Sequence, residues 1–209
     1  VISGLQPDTL YYYRMQYSTN GGSTWTPRGQ NTFHTQRAPG SPFTFTIISD
    51  SHMNGGGGSA AQYELALENV RGDHPDFHFD LGDTFWMDGV TSSTTANQRY
   101  LNQRGWMGAV SHSAAIFLAT GNHENEEGWN FDDTNSKALL SVNARKRYYP
   151  NPITDGFYSG NDEELAAING DHLRENYYAW EWGDALFVVI DPYHYTIENP
   201  YAIAGGEDN

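Results

Sequence analysis

The chain has 209 residues, a formal net charge of −15, 38% hydrophobic residues and no cysteine. This length and composition indicate a globular protein of one large domain, or of one domain with part of a second. The lack of cysteine excludes thiolate ligands, disulfides and cysteine nucleophiles. The negative charge argues against tracking along nucleic acid or anionic membranes, and no stretch approaches the roughly 20 apolar residues of a membrane helix.

The first part of the chain, residues 1–36, has the pattern of antiparallel β-structure. The segment from Leu10 to Tyr17 is rich in aromatic residues, and its side chains can alternate between the two faces of a strand. A glycine-rich turn follows, and residues 30–35 predict a second strand. A Leu-x-Pro-x-Thr-x-Tyr pattern ending at Tyr11 resembles the tyrosine corner of fibronectin type III sandwiches. We therefore expect residues 1–38 to be the C-terminal part of such a domain, with an ordinary hairpin as the alternative.

A different pattern begins after a linker rich in proline and glycine at 37–42. Apolar strands alternate with helices, which predicts a parallel βαβαβ sheet. The predicted strands are 43–49, 76–82 and 114–120, and the predicted helices are 59–70 and 94–110. We assign residues 39–209 to the N-terminal part of one α/β domain. Because the sequence starts inside a predicted strand and lacks an initiator methionine, we expect an internal fragment of a longer protein.

Several finer expectations concern which residues face the core. The first helix is predicted to begin after Ser59 and to bury Ala61, Leu65 and Ala66. The second is expected to be weakly amphipathic through Leu101, Met107 and Val110. Residues 125–177 are predicted to be loops and short helices, with the basic cluster 145–147 in a solvated loop, and residues 184–191 are predicted to contain a fourth buried strand.

Polar side chains suited to metal binding follow each of the three predicted parallel strands. Asp50 and His52 follow the first strand, Asp83 follows the second, and the third is followed by Gly-Asn-His-Glu, which supplies Asn122 and His123. In parallel α/β sheets, ligands bind beyond the carboxyl ends of the strands. Each motif alone could be a simple turn, but their occurrence on three successive strands predicts a metal site.

The ligand types narrow the choice of metal. Carboxylate, imidazole and amide donors suit Mn, Fe or Zn better than Ca, and a carboxylate can bridge two ions. We expect Asp50 and His52 to hold one ion, Asp83 to bridge, and Asn122 to hold the second. His123 can then serve as a proton donor. His78 is expected to be structural and Asp88 to be a solvated charge. Glu124 is expected to cap or orient His123 and not to bind metal. The glycines 55–58 are expected to form a flexible connector or a phosphate cradle.

These motifs resemble those of the calcineurin-like metallophosphoesterases over residues 43–195. The resemblance implies a fold of two packed sheets flanked by helices, two divalent or trivalent metal ions, and in-line attack on a phosphoester by a metal-bound hydroxide. It gives His123 the role of protonating the leaving alkoxide or contacting the phosphate. A fibronectin-like domain before the catalytic domain is similar to the purple acid phosphatase branch, and it suggests a secreted or periplasmic location.

The sequence departs from the purple acid phosphatase pattern in two respects. His52 stands where that branch has glycine, and Trp86 stands where it has the tyrosine that colours the iron. The remaining ligands of the family are a lone histidine and a Gly-His-x-His; after Asp191 only His194 remains, and it matches neither motif. We therefore expect a phosphomonoesterase or phosphodiesterase, with a non-catalytic binding or adhesion protein that retains the fold as the alternative.

The tryptophan substitution generates a spectroscopic prediction. Because an indole cannot ligate iron as a phenolate does, the metal-loaded protein is expected to lack a visible tyrosinate charge-transfer band. Visible absorption spectroscopy of the metal-loaded protein checks this, and a band in the purple region would contradict the assignment.

Overall fold

The computed structural model describes residues 2–55, 57–126, 131, 136–158 and 164–191. Within these residues the chain forms three small sheets and three helices. The strands are β1 (Leu10–Tyr17), β2 (Thr26–His34), β3 (Phe45–Ile48), β4 (Phe77–Asp80), β5 (Ala115–Leu118), β6 (Tyr178–Trp182) and β7 (Ala185–Val189). The helices are α1 (Ala60–Gly72), α2 (Ser93–Ser111) and α3 (Lys137–Tyr148). None of these helices has the length and apolar character needed to cross a membrane.

The central feature is a parallel sheet with the order β3-β4-β5, which confirms the predicted βαβαβ arrangement. Ile48 pairs with Asp80, and Asp80 pairs with Leu118, so the last residues of the three strands lie side by side. Helix α1 connects β3 to β4, and α2 connects β4 to β5. The loops that follow the three strands therefore meet at one edge of the sheet.

Both crossover helices lie close to their predicted positions, but the predicted buried face of α1 was wrong. Ser59 caps α1 as expected, and its side chain accepts a hydrogen bond from the backbone N–H of Gln62 at 3.4 Å. The residues of α1 that the core covers are Tyr63, Leu67 and Val70, whereas Leu65 is 63% exposed. Tyr63, Leu67 and Val70 lie at positions i, i+4 and i+7 of the helix and therefore share one face. This face has a larger apolar surface than the predicted one, because it includes the tyrosine ring.

Helix α2 shows a similar shift of its buried face. Met107 and Val110 are buried as predicted, but Leu101 is 45% exposed. Tyr100 is buried instead, and its ring meets Phe85 edge-on at a centroid distance of 4.8 Å. Phe85 belongs to the loop after β4, so this contact fixes that loop against α2.

Strands β6 and β7 pair antiparallel and pack onto one face of the parallel sheet through aromatic rings. The ring of Phe77 is fully buried and lies 5.1 Å from that of Phe187 and 5.7 Å from that of Trp180. Phe117 stacks on Trp180 at 4.0 Å. Aromatic pairs of this kind contribute stability beyond the apolar area that they bury.

The strand predicted within 184–191 exists as β7, but it is not buried on both faces. Leu186 is 59% exposed and Val188 is 60% exposed, while Phe187 lies between the sheets. The apolar run suggested a strand enclosed on both sides, but the described residues cover only the face that carries Phe187.

Helix α3 lies in the segment predicted to hold loops and short helices, and it corrects the interpretation of the basic cluster. Arg145, Lys146 and Arg147 form its last turn. Arg145 is 2% exposed and donates hydrogen bonds to the fully buried carboxylate of Glu126 at 2.8 and 3.0 Å. It also donates to the backbone oxygens of Arg174 and Glu175. A sequence pattern of consecutive basic residues does not reveal such a distant partner.

The N-terminal hairpin contacts the α/β part at several points. Strand β1 has its predicted bounds, whereas β2 begins earlier than predicted. The hydroxyl of Tyr11 accepts a hydrogen bond from the backbone N–H of Gln6 at 2.8 Å, and the hydroxyl of Tyr13 donates to the backbone oxygen of His112 at 2.7 Å. The Arg37 side chain donates to Asp76 at 2.6 Å. The division into domains 1–38 and 39–209 stays a prediction, as does the fibronectin-like assignment.

The Glu126–Arg145 pair gives a stability prediction. Arg145→Ala is expected to lower the free energy of unfolding by about 3–5 kcal/mol, because it leaves a buried carboxylate without its charged partner. Urea denaturation measures this effect. Arg147→Ala, at an exposed position of the same helical turn, is the control and is expected to change stability by less than about 0.5 kcal/mol. Equal effects for the two variants would contradict the prediction.

Candidate metal centre

Backbone hydrogen bonds join the three loops that follow β3, β4 and β5. The N–H groups of Asp50 and His52 donate to the backbone oxygens of Gly82 and Asp83 at 3.1 and 2.9 Å. Met53 and Phe85 then form a parallel bridge, which continues the pairing of β3 and β4 into the loops. These bonds hold the first two loops in a fixed register.

The third loop joins the second through both its backbone and its glycine. The N–H of Met87 donates to the backbone oxygen of His123 at 2.8 Å, and the N–H of His123 donates to Asp83 Oδ1 at 2.9 Å. A Cβ on Gly82 would collide with the backbone of Gly121, and a Cβ on Gly121 would collide with the Asp83 carboxylate. Glycine is therefore required where these loops touch.

Three of the predicted metal-binding residues have backbone conformations that are uncommon for residues with a side chain. Asp50, His52 and Asp83 have φ angles of 58°, 47° and 55°, in the left-handed region that favours glycine. Such conformations persist only where the surrounding structure imposes them, and they concentrate at functional sites. The three conformations therefore indicate that the contacts between the loops hold these residues in place.

The loops bring His52, Asp83 and His123 together. One ligand atom from each of these residues lies within 4.8 Å of the others. His52 Nε2 is 3.8 Å from Asp83 Oδ2 and 3.7 Å from Asp50 Oδ1, which is too far for hydrogen bonds. Asp50 is 65% exposed, and Asn122 lies on the surface at the start of the third loop.

The donor set fits a transition-metal ion. His52 Nε2 is buried and has no hydrogen-bond partner within the described part of the chain, although buried polar atoms normally have one. Its nearest charged neighbours are two carboxylates, and imidazole with carboxylate oxygen is a donor combination that suits Mn, Fe or Zn. A cation between these atoms would satisfy the nitrogen and offset the negative charge.

His123 occupies a more elaborate position than the sequence indicated. Its ring stacks face to face on Trp86, with centroids 4.5 Å apart and an interplanar angle of 12°. Its Nδ1 lies 3.6 Å from Asp88 Oδ2, and Asp88 Oδ1 lies 3.7 Å from Lys137 Nζ. Asp88 was expected to be a solvated charge; it is half exposed, but it faces the imidazole. The geometry of His123 fits both metal ligation and proton donation.

The contacts of Glu124 differ from those that the sequence predicted. Its buried carboxylate accepts hydrogen bonds from the backbone N–H groups of Asp83, Thr84 and Gly121 at 2.8–2.9 Å. Glu124 therefore caps backbone N–H groups of the second and third loops. The sequence predicted a capping or orienting contact with His123 instead. Burial raises the pKa of Glu124 to about 8, while the backbone donors favour its charged form.

A second buried carboxylate, Asp80, lies below the same loops. It accepts hydrogen bonds from the Gly82 N–H at 2.8 Å and from the Thr84 hydroxyl, and burial raises its pKa to about 7. His78, on the same face of β4, is fully buried and lies 2.9 Å from the Thr46 hydroxyl, and burial lowers its pKa to about 4. This environment is consistent with the structural role predicted for His78.

The first loop also lines a cavity of about 350 Å³ between β3 and the start of α1. Asp50 and His52 form part of its wall, together with Gly58 and Tyr63. A larger cavity of about 1020 Å³ lies between α2 and α3 and includes none of the predicted metal-binding residues. His194 lies outside the described residues.

The contacts of Glu124 lead to a prediction about metal affinity. Glu124→Ala removes the acceptor of three backbone N–H groups, so we expect a loss of about 2–4 kcal/mol in stability and about a tenfold to hundredfold loss in metal affinity. Denaturation and metal titration measure the two effects. Glu64→Ala, at an exposed position of α1, should change neither; unchanged metal affinity in Glu124→Ala would contradict the positioning role.

Comparison with known proteins identifies the family. Residues 43–192, well over half of the chain, match the calcineurin-like phosphoesterase family. The structure of a purple acid phosphatase from yellow lupin (Lupinus luteus) seeds is similar, with a TM-score of 0.52 and 14% identity over 90% of this chain, which shows a shared fold. This chain spans 31% of the length of that protein, and no curated protein matches the sequence. The chain belongs to the calcineurin-like phosphoesterase family.

Proposed function

We propose that this chain carries part of the active site of a metal-dependent phosphoester hydrolase that uses two metal ions. The observation that carries this proposal is the convergence of His52, Asp83 and His123 at the carboxyl ends of three parallel strands. The family match supports the same reaction class, and the lupin purple acid phosphatase shares the fold.

The proposed metal-binding residues have separate positions in the loops. Asp50 and His52 would hold the first ion from the loop after β3, and Asp83 would bridge from the loop after β4. Asn122 would hold the second ion from the loop after β5. When bound, the ions would supply positive charge and Lewis acidity for in-line displacement at phosphorus.

The negative charge of the chain makes this dependence on metal physically reasonable. A chain with a net charge of −15 repels an anionic substrate over long distances. The acidic groups around the site, Asp50, Asp83 and Asp88, would add to that repulsion. Bound cations reverse the sign of the local field, so we expect phosphoester binding to require the metal-loaded protein.

We assign His123 to proton donation to the leaving oxygen. Its side chain is 26% exposed, which gives a substrate access to the imidazole. Its backbone N–H donates to Asp83, so its position is linked to that of the proposed bridging carboxylate. Asp88 Oδ2 lies 3.6 Å from its Nδ1, so a carboxylate faces the side of the ring that carries this nitrogen.

Two substitutions separate metal binding from proton donation. In the intact protein, Asp83→Asn is expected to abolish turnover and to lower bound metal. His123→Ala is expected to keep the metal and to lower kcat by about 10²–10⁴-fold. Metal analysis and steady-state kinetics on an aryl phosphate measure both. Asp73→Asn, an exposed residue at the end of α1, is the control with the same charge change.

The outcomes discriminate between the candidate functions. A wild-type rate in Asp83→Asn would reject the bridging role, and loss of metal in His123→Ala would make His123 a ligand. Metal binding without turnover of any phosphoester would favour a non-catalytic binding protein. Comparison of an aryl phosphate with a bis-aryl phosphate then separates a monoesterase from a diesterase.

A further inference from the structure

Trp86 lies at the centre of the three site loops. Its ring stacks on His123 of the third loop at 4.5 Å and meets His52 of the first loop edge-on, with ring centroids 5.9 Å apart. It belongs to the second loop, three residues after Asp83. A single side chain therefore contacts both imidazoles of the candidate metal centre.

The backbone on both sides of Trp86 is fixed to the neighbouring loops. Phe85 is fully buried and pairs with Met53 of the first loop. Met87 is also fully buried, and its N–H donates to the backbone oxygen of His123. With its neighbours held in this way, the Trp86 ring has little freedom to leave the site.

The space for the Trp86 ring depends on a glycine in the first loop. A Cβ on Gly55 would lie 2.7 Å from Trp86 Cδ2 and 2.9 Å from Cγ, closer than real Cβ contacts, so the indole or the loop would have to shift. The glycine-rich segment was predicted to be a flexible connector or a phosphate cradle. At Gly55, the structure provides a different reason for glycine, which is contact with an aromatic ring.

Packing, and not hydrogen bonding, sets the orientation of this ring. Trp86 Nε1 is buried and has no hydrogen-bond partner within the residues that the structure describes. The ring thus lies against Gly55 and against the nearly parallel imidazole of His123. Stacking of this kind favours one plane for the imidazole.

We propose that Trp86 is a positioning residue that holds the His123 ring in the orientation required for turnover, and that Gly55 provides the space for it. The catalytic part of this inference rests on the proposed function of His123. The packing part, in which Gly55, Trp86 and His123 form one contact unit, does not depend on that function and can be measured without a substrate.

A double-mutant cycle on stability tests the packing part. Gly55→Ala is expected to lower the Tm by about 5 °C or more, because an overpacked contact must be relieved. In the Trp86→Ala background the ring is gone, so the same glycine substitution should have little effect. Gly105→Ala, a helical glycine whose Cβ would meet no described atom, is the control and should behave alike in both backgrounds.

Each result of this cycle decides the question. Equal losses from Gly55→Ala with and without Trp86 would overturn the proposal. Gly55→Ala alone could fail to fold. In that case, recovery of folding in the Gly55→Ala/Trp86→Ala double variant supports the proposal. A double variant that also fails to fold, although Trp86→Ala alone folds, overturns it. In zinc-loaded protein, the proton resonances of the His123 ring should carry an upfield ring-current shift that Trp86→Ala removes.

Kinetics in the intact protein test the catalytic part. Trp86→Ala is expected to lower kcat by about tenfold to a hundredfold, with KM and metal content changed less than about twofold, since the ring acts on orientation. Trp86→Phe keeps an aromatic face and should restore most of the rate. Trp25→Ala, an exposed tryptophan on the hairpin, is the control and should leave the rate unchanged.

The decisive comparison is Trp86→Ala in a His123→Ala background. If Trp86 acts through His123, the double variant will be as slow as His123→Ala alone. A further loss of the same size, or a rise in KM with kcat unchanged, would show that Trp86 acts independently of His123 and would overturn the positioning role. If the intact protein turns over no phosphoester, the proposed function fails, while the stability cycle and the ring-current shift still decide the packing unit.

Discussion

The candidate site depends on the parallel pairing of three four-residue strands and on its continuation into the loops beyond them. Hydrogen bonds from Asp50 and His52 to the loop after β4, and from Met87 to the backbone of His123, place distant parts of the sequence beside each other. The strands themselves are short and supply few ladder bonds. Glycine at 82 and 121 lets the loop backbones approach closely enough for the side chains to converge.

This arrangement concentrates carboxyl groups in a chain that is already acidic. Burial raises the pKa of Asp80 and Glu124 to about 7 and about 8, because desolvation disfavours the charged form of each carboxyl group. The fold responds by directing backbone N–H groups at both carboxylates. The side chain of Asp83 also faces the site, where His52 and His123 are its neighbours. Cations at this point would relieve the repulsion that the loop geometry creates.

The sequence was sufficient for features that depend on local pattern and chain order. Strand–helix alternation predicted the parallel sheet, and the motifs at the strand ends predicted which loops carry Asp50, His52, Asp83 and His123. Features that depend on contacts between distant residues were missed. The burial of Arg145 requires Glu126, and the exposure of alternate residues in β7 depends on which sheet covers it. The glycine-rich composition around Gly55 indicated a flexible segment. The contact between Gly55 and Trp86 was missed because no local sequence pattern reveals it.

The left-handed conformations at Asp50, His52 and Asp83 show what the loop contacts achieve. Each such residue costs about 1–3 kcal/mol relative to a relaxed backbone, so free loops would abandon these conformations. They persist because hydrogen bonds and close glycine contacts on both sides leave the backbone no alternative. The positions of these three residues are therefore set by contacts between the loops. The packed rings of Trp86 and His123 extend this positioning from the backbone to the side chains.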